Sequence, residues 1–375
     1  MQRASSPFVV ASGRNFRMEF ERIHFYVEDA PVWCRWFCQR MGFTERARSR
    51  CDQTQTLWVS NGAVHFLLSS PLQPESPVAQ YLKRHPPGVA DVAFWVQNLE
   101  AAIARVEQAG GKVLHPIQPL DFPPGAGQQA QIAGWGSLTH TLIERPEPVD
   151  ISLPSVATSS NQVAAIDHAV LNVAKGDLSR SVAWYERVLG FQRQQTFTIQ
   201  TARSGLASQV LAHPQGSVQL PINEPTSANS QIQEFLNANL GSGIQHIALR
   251  SRHIVQTVAQ LQQKGVNFLT VPSAYYHQLQ QRHPQCHPQL VGSVGSAIST
   301  QEWQAIQQQR LLLDWRDETP NALLLQTFTQ PIFPQPTFFF EIIERRHQAK
   351  GFGEGNFRAL FEAIEREQMT RGSLV

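Results

Sequence analysis

The sequence predicts an α+β protein made of two halves built on one plan, and three observations predict it. The segment from Arg22 to Phe43 (RIHFYVEDAPVWCRWFCQRMGF) and the segment from Ala165 to Phe191 (AIDHAVLNVAKGDLSRSVAWYERVLGF) share one layout. Each is a short apolar strand with a histidine, then a turn, then an amphipathic helix ending in Gly-Phe. A second pair recurs further along: GVADVAFWV from Gly88 and GIQHIALRS from Gly243, each followed by a helical pattern and a glycine stop. The offsets are similar, Trp36 to Trp184 being 148 residues and Gly110 to Gly265 being 155. Finally, the proline-rich stretch Glu144 to Pro154 (ERPEPVDISLP) separates the halves as a linker, so the domains are drawn at 1–150 and 151–375.

Each element has a local reason. Glycine directly after the last helical residue, as at Gly42 and Gly190, fits a C-cap. Strand signals follow the helices: TLWVS and AVHFLLSS in the first half, and SQVLAHP, SVQLPI, NALLLQTF and TFFFEII in the second. The stretch from His277 to Ile306 is rich in His, Gln, Gly and Ser and reads as a solvated insertion with one short helix. His277, His283, Cys286 and His287 fall within it and read as surface. At the C-terminus, Phe357, Leu360, Phe361 and Ile364 follow the i, i+3, i+4, i+7 spacing of one helix face.

Composition narrows the function. Lysine plus arginine number 31 and aspartate plus glutamate 29, a net charge of 31 − 29 = +2 in 375 residues. A balance this close to zero excludes nucleic-acid or membrane-surface binding by bulk charge. No apolar run reaches the roughly 20 residues of a membrane helix, and the opening residues lack the apolar stretch of a signal peptide. Four cysteines do not make a disulfide framework. Cys34 and Cys38, one helical turn apart, read as a packed helix face. The expectation is a cytoplasmic protein with neither nucleic acid nor membrane as partner.

Three side chains of the second half carry the chemistry. His168, His246 and Glu341 each stand inside an otherwise apolar strand. A buried carboxylate needs a counter-charge or a metal. Two imidazoles and one carboxylate are the set that holds non-haem iron(II) while leaving positions open. The first half serves as a control. Aligned by eye, His24 matches His168, Asp91 matches His246 and Thr141 matches Glu341, so the first half is expected to keep the fold without the metal.

These features resemble the vicinal-oxygen-chelate fold, and the second half resembles the 4-hydroxyphenylpyruvate dioxygenase family. The resemblance rests on IDHAVLNV, WYERVLGF, LPINEP, SQIQEFL, GIQHIAL, VPSAYYHQL, LLLQTFTQP, FFFEIIER and GFGEGNFRALFEAIE, in family order from about residue 162 to 368. It implies two vicinal-oxygen-chelate domains of paired βαβββ modules, the second closed by a C-terminal helix. It implies one Fe(II) per chain on His168, His246 and Glu341. Polar pocket residues would fall on Ser208, Asn223, Gln231, Gln245 and Gln326, and aromatic walls on Phe328, Phe339 and Phe357, with Asn356 beside the last. Amides and aromatic rings suit a phenol.

The activity implied is conversion of 4-hydroxyphenylpyruvate and O₂ to homogentisate and CO₂. It combines oxidative decarboxylation, ring hydroxylation and side-chain migration, and a homo-oligomer is expected. The enzyme rival is 4-hydroxymandelate synthase, which shares the substrate but oxidises the benzylic carbon; Pro221 and Phe357 stand where the two activities differ, and both are dioxygenase-like. The non-enzyme rival is a metal-free binding protein of the same fold. Gly351, Gly353 and Gly355 precede the last helix and are expected to let it act as a lid.

Overall fold

The structure is a computed structural model, and it describes residues 16–120, 122, 126–145, 163–201, 204–282, 298–316, 319–353, 356 and 369. The first half runs β1 (Met18–Tyr26), α1 (Ala30–Met41), β2 (Thr44–Arg50), β3 (Thr54–Asn61) and β4 (Val64–Pro71). It continues with α2 (Pro77–Leu82), β5 (Gly88–Val96), α3 (Leu99–Gln108), β6 (Val113–Pro119), β7 (Gln128–Ala133) and β8 (Thr139–Glu144). The second half repeats this as β9 (Ala165–Asn172), α4 (Leu178–Leu189), β10 (Gln192–Gln200), β11 (Gly205–Ala212) and β12 (Gln219–Pro225). After α5 (Gln231–Asn239) come β13 (Gly243–Arg250) and α6 (Ile254–Gln263). The added helices α7 (Ser273–Arg282) and α8 (Thr300–Gln309) precede β14 (Leu312–Arg316), β15 (Thr319–Phe328) and β16 (Phe339–Arg345).

Each half is one eight-stranded sheet, ordered β2-β3-β4-β1-β5-β8-β7-β6 and β10-β11-β12-β9-β13-β16-β15-β14. Each sheet is therefore two βαβββ modules joined through their first strands, β1 against β5 and β9 against β13, both antiparallel. Within a module the first strand pairs parallel with the last, as β13 does with β16. The helices start and stop as their residues dictate. Asp29 accepts from the Val32 amide at 2.9 Å to cap α1, and Gly42 and Gly190 end α1 and α4 in the left-handed conformation at φ 71° and 79°.

The two sheets share one core. Phe340 of β16 turns away from the second sheet's inner face and meets Phe66, Phe37 and Phe25 of the first half at ring distances of 5.7, 6.1 and 6.5 Å. Phe338 lies 5.1 Å from Phe25. In return, the α4 Tyr185 hydroxyl pairs with His140 Nε2 on β8 at 3.0 Å. Because side chains alternate along a strand, seating Phe340 outward turns its neighbour Glu341 inward. Burying a ring of this size contributes roughly 1.5–3 kcal/mol, so the packing between halves also fixes the strand that carries Glu341.

The 277–306 segment differs from its expectation. It is flanked by two helices, and α7 begins before it. Tyr275, Tyr276 and Leu279 are buried; the Tyr276 phenol donates to the Leu311 carbonyl at 3.0 Å, and the Tyr275 hydroxyl accepts from the Leu313 amide at 2.9 Å. His277 is exposed on that helix, while His283, Cys286 and His287 lie outside the described residues. So do residues 146–162, which include most of the expected linker, and nearly all of the expected C-terminal helix, Phe357 included.

Candidate metal centre and active site

Three adjacent central strands, β9, β13 and β16, build the site. The register places His168 and Glu341 on either side of Ala248 in one cross-sheet row, with His246 two residues along β13. His168 Nε2 lies 3.1 Å and His246 Nε2 3.6 Å from Glu341 Oε2. One ligand atom from each residue falls within 4.8 Å of the other two, and all three residues are buried; no other such group of histidine, cysteine or acidic residues occurs among the described residues.

The electrostatics of this triad call for a cation. Glu341 Oε1 is buried without a hydrogen-bond partner, a costly state for a carboxylate. Burial opposes charge on His168, but Glu341 and Asp167 on either side of its ring outweigh it and raise its pKa to about 9. Burial, then the neighbouring His168, hold His246 well below the ordinary histidine value. The pocket thus recruits one positive charge, and two imidazole nitrogens with a carboxylate oxygen fit a divalent metal with open positions.

The cavity beside the triad is lined by Asn223, Gln231, Gln245, Gln326, Phe328 and Phe339, among others. Phe339 stacks on His246 at 4.8 Å and 19°, and Phe328 meets the same imidazole edge-on at 6.3 Å. Pro221 also lines the cavity. Ser208 does not; it is buried opposite Asn223 across the β11–β12 pair, its hydroxyl without a partner. Nor does Asn356 line it. Asn356 is buried behind Gln326, donating to its Oε1 at 3.4 Å and accepting from the Tyr275 hydroxyl at 2.7 Å.

Several lining residues escaped the sequence reading. Phe197 and Ile199 project from β10 into the cavity, joined by Leu206, Ile232 and Phe352. The alternation of Phe197 and Ile199 within QTFTIQ was the available signal. Phe352 stands edge-on to His168 at 5.1 Å and 77°.

The first-half control needs one correction. Pairing with both flanking strands equates Phe25 with Leu171, because Phe25 pairs with Leu68 and Val89 where Leu171 pairs with Ile222 and Ile244. Arg22, which pairs with Ala93 as His168 pairs with Ala248, is therefore the counterpart of His168, and His24 is not. The three first-half positions hold Arg22, Asp91 and Thr141. Asp91 is satisfied by Thr139, Thr141 and Gln131 at 2.7, 3.0 and 3.3 Å. His24 bonds Ser69 at 2.7 Å, and desolvation, then the Arg22 charge, push its pKa down to about 3. A guanidinium in place of an imidazole gives no metal site.

Both halves match models of the glyoxalase/bleomycin resistance protein/dioxygenase superfamily, over residues 21–126 and 165–285. A 4-hydroxyphenylpyruvate dioxygenase of Yarrowia lipolytica is 37% identical over 380 residues, covering 95% of this chain and 93% of that protein. The Caenorhabditis elegans protein of the same name is 33% identical over 378 residues, with the same coverage. The chain belongs to the 4-hydroxyphenylpyruvate dioxygenase family. It is an enzyme of that family, within the vicinal-oxygen-chelate superfamily. An uncharacterised protein of Synechocystis is 39% identical over 349 residues, 93% of this chain and 97% of its own. Among solved structures, a substituted variant of 4-hydroxymandelate synthase from Streptomyces coelicolor superposes with a TM-score of 0.81 at 25% identity, covering 94% of this chain and 99% of that one. No helix among the described residues is long and apolar enough to cross a membrane.

Proposed function

We propose that this chain is an Fe(II)-dependent dioxygenase that converts 4-hydroxyphenylpyruvate and O₂ to homogentisate and CO₂. The observation that carries the reading is the buried His168–His246–Glu341 triad opening onto a cavity walled by amides and aromatic rings. Iron bound to the triad supplies the redox chemistry of decarboxylation and ring hydroxylation. The protein's own part is orientation. Asn223, Gln231, Gln245 and Gln326 donate to and accept from the substrate's phenol and oxo-acid oxygens. Phe328 and Phe339 flank the aromatic ring and, with Phe197, Ile199 and Leu206, keep water from the reacting carbons. Phe357 and Asn356 remain part of the proposal: the first as a wall, the second as a brace behind Gln326.

The superposition on a 4-hydroxymandelate synthase variant supports a second reading, oxidation of the benzylic carbon of the same substrate. Identity of 33–37% to dioxygenases over most of the chain, against 25% to that structure, favours the first. The test is product analysis after anaerobic Fe(II) loading, together with metal analysis of His168→Ala, His246→Ala and Glu341→Ala. Homogentisate as the product and loss of bound iron in each variant are expected. Hydroxymandelate as the product overturns the first reading, and a variant that keeps its iron removes that residue from the ligand set.

A further inference from the structure

Asp167 follows Ile166 and precedes His168 in β9, and a regular strand would point it away from the metal face. It does not, because β9 carries a bulge here: Ala248 pairs with His168 and Leu249 with Ile166, leaving Asp167 as the extra residue. The bulge lets Asp167 Oδ1 accept from His168 Nδ1 at 3.0 Å, from the side of the ring opposite Glu341. The carboxylate is wholly buried and clamped by two arginines. Arg250 donates twice to Oδ2, at 2.9 and 2.6 Å, and Arg345 donates to both oxygens, at 2.8 and 2.7 Å.

Arg345 has a second task. Its Nη1 donates to the carbonyls of Gly351 at 2.7 Å and Ala349 at 3.2 Å, and its guanidinium lies 6.0 Å from the Phe352 ring centre. Phe352 in turn rests edge-on against His168 at 5.1 Å. The contacts close a ring from His168 through Asp167, Arg345 and Phe352 back to His168. One guanidinium thus holds both the carboxylate that orients the imidazole and the backbone that lays Phe352 over it.

We propose that Asp167 and Arg345 are positioning residues that couple the orientation of His168 to the placement of segment 349–352 over the site. The coupling rests on the reading of His168, His246 and Glu341 as metal ligands. Metal binding fixes the His168 ring, the ring fixes Asp167 and Arg345, and Arg345 fixes the segment. By linkage, a settled segment strengthens metal binding to the same degree. Residues that orient a metal-ligating histidine typically contribute about 10–100-fold in metal affinity.

The test uses the whole chain and Co(II) as the probe, read by calorimetry, by the visible spectrum of the bound ion and by hydrogen exchange of segment 346–353. In the wild type, Co(II) should slow exchange of that segment. In Arg345→Met the segment should exchange fast with or without Co(II). In Asp167→Ala, Co(II) should bind about 10–100-fold more weakly with an altered spectrum. Asp167→Asn and Arg345→Lys keep packing and hydrogen-bonding capacity should the harsher variants fail to fold. They should show the same changes to a smaller degree. Metal-dependent protection that survives in the Arg345 variants, or unchanged Co(II) affinity and spectrum in the Asp167 variants, overturns the coupling alone. Absence of Co(II) binding by the wild type overturns both the coupling and the metal reading.

Discussion

Replacing Gly353 by alanine should disable the pocket while leaving the metal site intact. Gly353 sits at φ +77°, and a Cβ built there lies 1.8 Å from Oε1 of Gln326. Ordinary contact begins at 3.4 Å, so the amide must retreat by 3.4 − 1.8 = 1.6 Å. Gln326 is buried, with Asn356 against the same oxygen, so the retreat moves the amide off the cavity wall. Misplacing a positioning group by about 1 Å can cost about 10²-fold. A fall in kcat/KM for 4-hydroxyphenylpyruvate of about 10²-fold is therefore expected. The left-handed backbone adds a stability cost of about 1–2 kcal/mol for alanine. Iron should still be retained at saturating Fe(II), because the ligands lie on β9, β13 and β16, even if strain beside Phe352 lowers its affinity. Steady-state kinetics, iron analysis and urea unfolding separate the three effects. In the double variant Gly353→Ala/Gln326→Ala the clash is gone, so the stability loss should shrink while activity stays low. Wild-type kcat/KM in Gly353→Ala would mean that the Gln326 amide does not position the substrate.

Phe340→Ala should destabilise the chain by about 3–5 kcal/mol, because it empties a core site shared by both halves; an unshifted urea midpoint would contradict that packing. The metal-free protein should lose stability in alkali. The pKa of His168 is raised from 6.5 to about 9 in the folded chain, so its contribution is fully present below 6.5 and is lost as pH rises through about 9. Urea unfolding across that range checks this, and the slope should vanish in His168→Gln. His24→Ala should retain full iron content by metal analysis; iron lost from a folded His24→Ala would return the metal to the first half.

The triad was legible because each of its members interrupts an apolar strand in a repeated module, and burial makes such an interruption expensive. The pocket amides were legible only through the family motifs, since glutamines are common along this chain. What stayed hidden has separate physical causes. Both first strands carry the same bulges, but the histidine of β1 stands two residues further along than that of β9, so aligning histidine with histidine paired His24 with His168 where the sheet pairs Arg22. A bulge concealed Asp167 behind its own neighbour, since a regular strand would turn it away from His168. Edge strands β2 and β10 were missed because their outward faces are polar and exposed, leaving Phe197 and Ile199 as isolated signals. Helix α7 was lost in a glutamine-rich stretch whose two buried tyrosines carry its packing.

Iron on His168, His246 and Glu341 is proposed to drive formation of homogentisate within this pocket. The most direct measurement loads the full chain with Fe(II) without oxygen and adds 4-hydroxyphenylpyruvate and O₂. It then counts O₂ consumed, CO₂ released and each aromatic product. Equal amounts of O₂ consumed, CO₂ released and homogentisate formed, all abolished in Glu341→Ala, is the predicted result. Hydroxymandelate as the aromatic product, or turnover that survives in Glu341→Ala, would contradict it.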